Sequence, residues 1–569
     1  MKNRELSEIF DKMADILEFK GDNPFKINAY RKAGRVLKDL TEDIEKLARE
    51  GKLKDLSGVG SGIAKKIEEY LNTGRVSKYE EVKEGVTEGL IELLKIPDLG
   101  PKTLALLHKE MGIKNMAELE EALQSEQART LPGMGAKKAE NILRGIRLLK
   151  ESGGRIPLGV ALPLVDDVIE LLKGKGIVRE IFPAGSLRRF RETIGDIDLL
   201  ATGKDGTKII EEFTHLPVVT EVLAAGKTKG SVITHGGTQV DLRVVPGESF
   251  GAALQYFTGS KAHNVRLREI AKSQGLKINE YGVFRGEKRI GGSTEEEVYR
   301  ILGLPWIPPE LREDRGEIDA AMKGNLPSLV ELADIKGDLH VHSNWSDGSA
   351  TLEELAEQAK GLGYEYLLIA DHSFAVRIAG GLSPEELLRQ IEEIKKVNHK
   401  LKGITLLAGT EVDIRSDRSL DFPDEVLEKL DVVVAAVHSG FKQDVHTMTK
   451  RILGALENPH VDILAHPTGR LIGGREPYAV DINEILSRSA ATGTALEINA
   501  YYERLDLSDI NCREAKRRGT KLVISTDAHQ PHQLDWMRLG VAVARRGWLE
   551  KGDVLNTLPL KQFLNSLKR

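Results

Sequence analysis

Cysteine is almost missing: Cys512 is the single one in 569 residues. That excludes an internal disulfide and any thiolate metal cluster. No apolar run is long enough to cross a bilayer. The opening residues MKNRELSEIFDKMADILEF follow the period of an amphipathic helix and not the pattern of a secretory signal. A cytoplasmic protein with no membrane partner is therefore expected. An excess of positive charge is also lacking, since 82 Lys and Arg stand against 87 Asp and Glu, for a net charge of −5. Nucleic-acid binders are often basic overall, so any such contact here has to come from local basic patches. Histidine is scarce over the first 336 residues, with only His108, His215, His235 and His263. The remaining ten of the 14 lie beyond. Imidazole is the commonest metal ligand, so the asymmetry points to a metal site in the last third. The chain is too long for one hydrophobic core, and several domains are expected.

Residues 1 to about 150 read as helices joined by short turns. A loose repeat runs through them: LSGVGSGIAKKI at 56–67, IPDLGPKTLALL at 96–107 and LPGMGAKKAENI at 131–142. Glycine lets a backbone approach a phosphate closely, and the following helix N-terminus offers free N–H groups. Gly58, Gly60, Gly100, Gly133 and Gly135 are the candidate DNA-binding positions, with Lys65, Lys66, Lys137 and Lys138 as counterion-releasing partners. A single such turn is more often a plain joint between packed helices. Three in the same helical context favour a grip on the DNA backbone, which carries no sequence code.

From about 156 to 245 the period changes to two, as in IGDIDLLAT and TQVDLRVV. Asp196 and Asp198 stand two apart, so both carboxylates leave one strand face. Asp241, in VDLR, is a third acid on another strand. Three carboxylates from adjacent strands suit two Mg²⁺ or Mn²⁺ ions, one at a primer 3′-hydroxyl and one at a triphosphate. The Gly185-Ser186 turn offers donors to phosphate oxygens, with Arg189 as a charged partner. A DxD pair alone could be a solvated strand end; the upstream turn and the later acid favour the catalytic reading.

These motifs, with YFTGS at 256–260, resemble the nucleotidyltransferases and more closely DNA polymerase family X. The resemblance covers about 1–315. It implies a nucleotide site built from Gly185, Ser186, Arg189, Gly195, Tyr256, Phe257, Thr258, Gly259, Asn264 and Arg268. In it Tyr256 and Phe257 crowd the sugar, Asn264 meets the base minor-groove edge and Arg268 the templating side. Gln239 and Lys261 depart from the family pattern, where arginine and an acid are common. A further family activity, removal of 5′-deoxyribose phosphate by a Schiff-base lysine, falls on Lys66. Gly62 and Phe25 replace the Lys and His of active relatives, so Lys66 is read as a DNA-phosphate contact.

From about 336, strands and helices alternate. Seven apolar strand candidates (GDLHVH, EYLLIA, ITLLAGTE, DVVVAAV, VDILAH, TALEIN and KLVIST) indicate a parallel barrel with its site at the strand C-termini. Nearly every candidate strand delivers a ligand-type residue there: His340, His342 and Asp347, then His372, Glu411, His438, His466, and Asp527 with His529. So many mixed ligands exceed one ion's coordination number. A cluster of two to three Zn²⁺, Mn²⁺ or Fe²⁺ ions is expected. The motifs DLHVHSNWSDG, ADHS, AAVHSG, LAHP and STDAH resemble the PHP (polymerase and histidinol phosphatase) family, which implies a distorted (β/α)7 barrel. Glu497 and Asn499 read as supports of the ligands. Arg377, Arg470 and Arg475 are either phosphate contacts or solvated loop charges.

The expected fold is multidomain, α+β and α/β. Its parts are an N-terminal helical DNA-binding domain (1–85), helix–hairpin–helix fingers (86–155), a nucleotidyltransferase palm (156–245), a helical thumb (246–315), a linker (316–335) and the PHP barrel (336–569). The order resembles bacterial and archaeal family X polymerases. That implies gap filling in base excision repair on gapped or primer–template DNA with dNTPs, and a manganese-stimulated 3′→5′ exonuclease, in a monomer. Abasic-site incision or 3′-end cleaning is a further activity in keeping with that resemblance. The alternatives are a hydrolase whose polymerase core only targets DNA, and a non-catalytic scaffold for DNA ends.

Overall fold

The computed structural model describes all residues except 1, 39–43, 57–58, 95, 97–98, 125–133, 135–141, 144–154, 236–237 and 568–569. The chain divides into two compact units, Met1–Gly153 and Gly154–Arg569.

The first unit is helical. Leu6, Phe10, Met13 and Leu17 recur at the spacing of one helix face in Lys2–Phe19. They are buried with Tyr30 of Pro24–Lys38 and with Ile63 and Ile67 of Ser61–Thr73. A second core gathers Leu90, Leu104, Leu107, Leu119 and Leu123, from helices Glu88–Leu93, Pro101–Met111 and Met116–Gln124.

The second unit begins with a five-stranded sheet. Its order is Val178–Pro183, Ile197–Gly203, Gln239–Val244, Lys229–Thr234, Val219–Ala225. Only the second and third strands are parallel. Helices Leu158–Gly174 and Gly206–Thr214 bury Val165, Val168, Ile209 and Phe213 in one core with Leu199, Ala201 and Leu242. Leu200, one residue off that period, packs instead with Phe250 and Leu254 of Phe250–Thr258. Alternation along Ile197–Gly203 therefore sends Asp198 toward that second helix, away from the main core. The helix Leu158–Gly174 was not foreseen in a stretch read as strands. Its first half, LGVALPLV, carries no polar residue to mark a helical period, and Pro163 lies inside it.

After Phe250–Thr258 comes Lys261–Ser273, then a three-stranded antiparallel sheet (Lys277–Asn279, Gly282–Arg285, Lys288–Gly291) and Glu295–Ile301. Strands of three or four residues carry too little alternation to register as a sheet. The expectation of a linker at 316–335 needs correction. Glu317–Met322 is a helix with Glu317, Ile318 and Ala321 buried. Glu317 accepts from His263 at 2.6 Å, and Val330 N–H donates to Leu549 O at 3.0 Å. His263, also bonded to Tyr299 Oη at 2.9 Å, is a satisfied core histidine.

A buried ionic group ties these parts together. Glu295 binds Arg188 through both oxygens at 2.7 Å, and also meets Arg312 at 2.6 Å and Trp306 at 3.1 Å. Burial opposes its ionisation, but Arg312 and Arg188 hold the carboxyl down at about 2. A folded-state value below the unfolded 4.5 stabilises the fold above about pH 4.5 and loses that effect as pH falls through about 2. Glu295→Gln is therefore expected to lower stability at pH 7 by about 3 kcal/mol. Urea unfolding should show that difference shrinking toward pH 2.

The last part is a seven-stranded parallel sheet, its strands in chain order from Gly337–Val341 to Leu522–Ser525. A parallel bridge between Val341 and Ala528 brings the two ends together, so the barrel is nearly closed. Helices connect the strands, two of them started by reciprocal caps, Thr351 with Glu354 and Ser383 with Glu386. Every strand thereby points its C-terminal end to one mouth.

Candidate active sites

In the helical unit, Gly60 and Gly100 cap the N-termini of Ser61–Thr73 and Pro101–Met111. A Cβ at either would meet nothing within 4 Å. Glycine here leaves unobstructed N–H groups, the arrangement that receives a phosphate. Gly58, Gly133 and Gly135 lie outside the described residues. Lys66 Nζ donates to Gly62 O at 3.0 Å and sits 5.8 Å over the Tyr30 ring. Partial burial, then repulsion from Lys78, lowers its pKa.

In the five-stranded sheet, Asp198 and Asp241 are direct register partners on neighbouring parallel strands. Asp196 is exposed, one residue before its strand. Burial, then repulsion from Asp196 and Asp241, pushes the Asp198 carboxyl up to about 6. Such a value marks a carboxylate set in need of cations. Asp241 is already partnered, by Lys229 Nζ at 2.8 Å and Gln239 Nε2 at 2.9 Å. Gln239, which departs from the family pattern, thus holds the third acid.

Gly185 has φ +59, and a Cβ there would lie 2.6 Å from Asp198 Oδ2. Glycine is what lets the Gly185-Ser186 turn close over the acids. Arg189 does not project freely. It donates to Thr258 O and lies 3.1 Å from Glu313, strapping this turn to the Thr258-Gly259 turn. Tyr256 and Phe257 meet edge to face at 5.2 Å, and Arg243 stacks 4.7 Å over Phe257. Asn264 is fixed by Gln255 at 2.7 Å and Tyr256 O at 2.8 Å. Arg268 shares a small recess with Asn264 and Tyr256. The sequence reading missed Arg243, whose position depends on a strand and a helix meeting.

At the barrel mouth, three groups of side chains lie close enough to share an ion. They are His342, Asp347, His372 and His529; His340, His342 and Asp527; and His372, Glu411 and His438. Shared members make them one continuous cluster. Glu411 is its hub: it lies 2.8 Å from His372, 3.2 Å from His438, 2.9 Å from His466 and 3.5 Å from His340. All nine sequence-predicted residues therefore converge. His340 Nε2 and both ring nitrogens of His342 are buried with no hydrogen-bond partner among the described residues. Such orphaned donors and acceptors are costly unless an ion takes them, so the donor set fits divalent metals. Burial, His529 and His372 push His342 down to about 3; against burial, Glu411 and Asp347 raise His372 to about 10.

Glu497 accepts from His340 Nδ1 at 2.8 Å and from His466 N–H at 2.7 Å. Asn499 donates to Glu497 and to Asp527, each at 3.1 Å. These contacts fix ring orientation, as expected of supports. His466 and Asp527 have φ +27 and +55. Two non-glycine residues held there mark backbone strain at the cluster.

Of the three arginines, Arg470 is consumed internally, by Glu192 and by the carbonyls of Arg504 and Leu505. Arg475 stacks 4.0 Å over Phe441, and Arg377 4.9 Å over Phe374. Arg504, which the sequence reading did not single out, comes within 3.4 Å of Asp527.

Comparisons with known proteins agree with this division. A helix-hairpin-helix domain model matches residues 1–76, and a SAM-like helix-hairpin-helix tandem matches 90–148. The DNA polymerase beta thumb model matches 253–313, and the PHP domain model matches 338–500. The chain is 41% identical over the full length of both sequences to a Bacillus subtilis protein named DNA polymerase/3'-5' exonuclease PolX. A probable phosphatase of Thermoanaerobacter sp. (strain X514) is 30% identical across 41% of this chain and 95% of its own length. DNA polymerase lambda of Arabidopsis thaliana is 26% identical across 54% of this chain and 62% of its own.

Proposed function

Because the chain belongs to the family X DNA polymerases that end in a PHP domain, we propose that it runs two reactions at two separate centres. Asp196, Asp198 and Asp241 extend a primer across a gap. The histidine-rich barrel mouth removes nucleotides from DNA 3′ ends. The observation that carries this is the coexistence of two distinct donor sets, a strand-paired carboxylate site and a nine-residue cluster around Glu411.

Divalent ions, Mg²⁺ or Mn²⁺ in the first and two to three Zn²⁺, Mn²⁺ or Fe²⁺ in the second, supply Lewis acidity that makes a hydroxyl or a water a competent nucleophile near neutral pH. The rest is done by the chain. In the palm, Gly185 and Ser186 present the turn to a triphosphate. Arg189 keeps that turn against Thr258, so it positions the site through the protein. Tyr256 and Phe257, stiffened by Arg243, wall the sugar. Asn264, its amide fixed by Gln255, meets the base edge, and Arg268 faces the template. In the barrel, Glu411 gathers the imidazoles, while Glu497 and Asn499 hold His340 and Asp527 in orientation.

The test is a 5′-labelled primer on a one-nucleotide-gapped duplex with Mn²⁺. Extension with dNTPs and shortening without them are expected. Shortening alone would make the chain a hydrolase with a DNA-targeting core, and no change in either lane would make it a scaffold.

Lys66 is assigned to DNA-phosphate contact. Lys66→Ala should weaken binding to gapped DNA uniformly across sequences and reduce the salt slope by about one. Borohydride should trap no adduct on incised abasic DNA; a trapped species lost in Lys66→Ala would make it a lyase nucleophile instead.

A further inference from the structure

Beside the barrel cluster, and sharing His438 with it, lies a cavity of about 450 Å³. His438, Ser439 and Asp413 line one part, Arg415, whose guanidinium is also paired with Asp421, and Ser416 another, and Arg377 and Ile378 the rim. The rim belongs to the loop that follows His372. It is a built loop. Ala375 N–H donates to Asp421 at 2.6 Å, and Leu382 N–H donates back to His372 O at 2.8 Å. Gly381 passes so close to Ser373 that a Cβ would lie 2.0 Å from its carbonyl oxygen. The loop nevertheless keeps its apolar side chains in water. Ile378 is fully exposed, Phe374 is 45% exposed, and Arg377 lies 4.9 Å over the Phe374 ring. Single exposed apolar residues need no explanation. Here an aromatic ring, a fully exposed isoleucine and the Arg377 guanidinium stand together on a pinned loop at the mouth of a site for phosphodiesters, and Arg415, from the segment after the strand Thr405–Asp413, lines the same cavity.

We propose that this loop is the seat of the terminal nucleotide of a DNA 3′ end. The base lies against Phe374 and Ile378, and the phosphates on its 5′ side face Arg377 and Arg415. The inference rests on the reading of the barrel as the nuclease centre. Nucleobases stack on aromatic and guanidinium planes whatever their sequence, and isoleucine is a side chain that wedges between base steps. Arginines beside such a platform supply the matching charge for the backbone. At about 450 Å³ the cavity has the size of a pocket for one small ligand, which is room for a single nucleotide.

The test uses the full chain with Mn²⁺ and three substrates: a single-stranded oligonucleotide with an ordinary 3′-terminal nucleotide, the same strand ending in a tetrahydrofuran abasic unit, and bis(p-nitrophenyl) phosphate. The unaltered protein should favour the base-bearing end by about tenfold in kcat/KM. Ile378→Ser and Phe374→Ala should cut the base-bearing end to the abasic rate and leave the other two substrates unchanged. Phe374→Tyr should keep the preference. Unchanged discrimination in Ile378→Ser and Phe374→Ala would overturn the proposal. Equal loss on all three substrates would do so too, since the loop would then support the barrel and not a base. An unaltered protein that hydrolyses none of the three removes the nuclease reading itself, and this seat with it.

Discussion

Replacing Asp198 with asparagine is expected to lower gap filling by on the order of a thousandfold or more, while nucleotide removal from 3′ ends proceeds at the unaltered rate. Asparagine has the shape of aspartate, and Asp198 sits in register beside Asp241 with the Gly185 turn against its carboxylate. The fold around it should therefore persist, and only the charge is lost. The same substitution should raise the melting temperature of metal-free protein slightly. Asp198 titrates at about 6 in the folded chain, above its ordinary 3.8. The folded state thus holds its proton more tightly than the unfolded one, and stability falls as pH rises through that window. At pH 7.5 the ionised carboxylate is a burden that asparagine removes. Solvent screening at this half-buried group reduces the gain to roughly 1–2 °C. A single-turnover extension assay, a 3′-end hydrolysis assay and a thermal melt in chelator measure the three effects. Loss of both activities together would mean that the two centres are not independent.

Which parts of this arrangement were legible in the sequence follows from how local their causes are. Asp196 and Asp198 stand two apart in GDID, so their pairing is written in four consecutive residues, although Asp196 falls one residue short of the strand; Asp241 is read from its own strand. The barrel cluster was legible because its ligands fall, singly or in small groups, at the C-terminal ends of successive apolar strands. Parallel topology then gathers them without any knowledge of distances. What could not be read depends on pairs far apart in sequence. Glu192 with Arg470, Arg546 with Glu313, and Arg315 with Asp509 fasten the sheet and thumb to the barrel. Each member alone is an ordinary surface charge. The supposed linker failed for the same reason: Glu317 looks like a solvated acid until His263 is placed 2.6 Å away. Arg189 reads as a phosphate ligand from its motif, and only the fold reveals that Thr258 and Glu313 engage its Nη1 and Nε.

Glu411 should separate the second activity as cleanly as Asp198 separates the first. Its carboxylate is buried among His372, His438, His466 and His340. Burial works against its ionisation, yet the surrounding imidazoles, His438 foremost, hold it well below the ordinary range. Glutamine keeps the volume but removes the charge and one acceptor at the point where the ligand groups meet. Glu411→Gln is therefore expected to lower 3′-end hydrolysis by on the order of a thousandfold and to reduce bound metal per chain. Gap filling should be preserved. Glu497→Gln provides the graded comparison. Glu497 touches His340 and His466 from outside the cluster, so its loss should weaken metal retention by about 10- to 100-fold and leave hydrolysis recoverable with excess Mn²⁺. Elemental analysis after dialysis, paired with hydrolysis rates across a Mn²⁺ titration, distinguishes the two. If excess Mn²⁺ restores Glu411→Gln as fully as Glu497→Gln, Glu411 is a support of the cluster and not its hub.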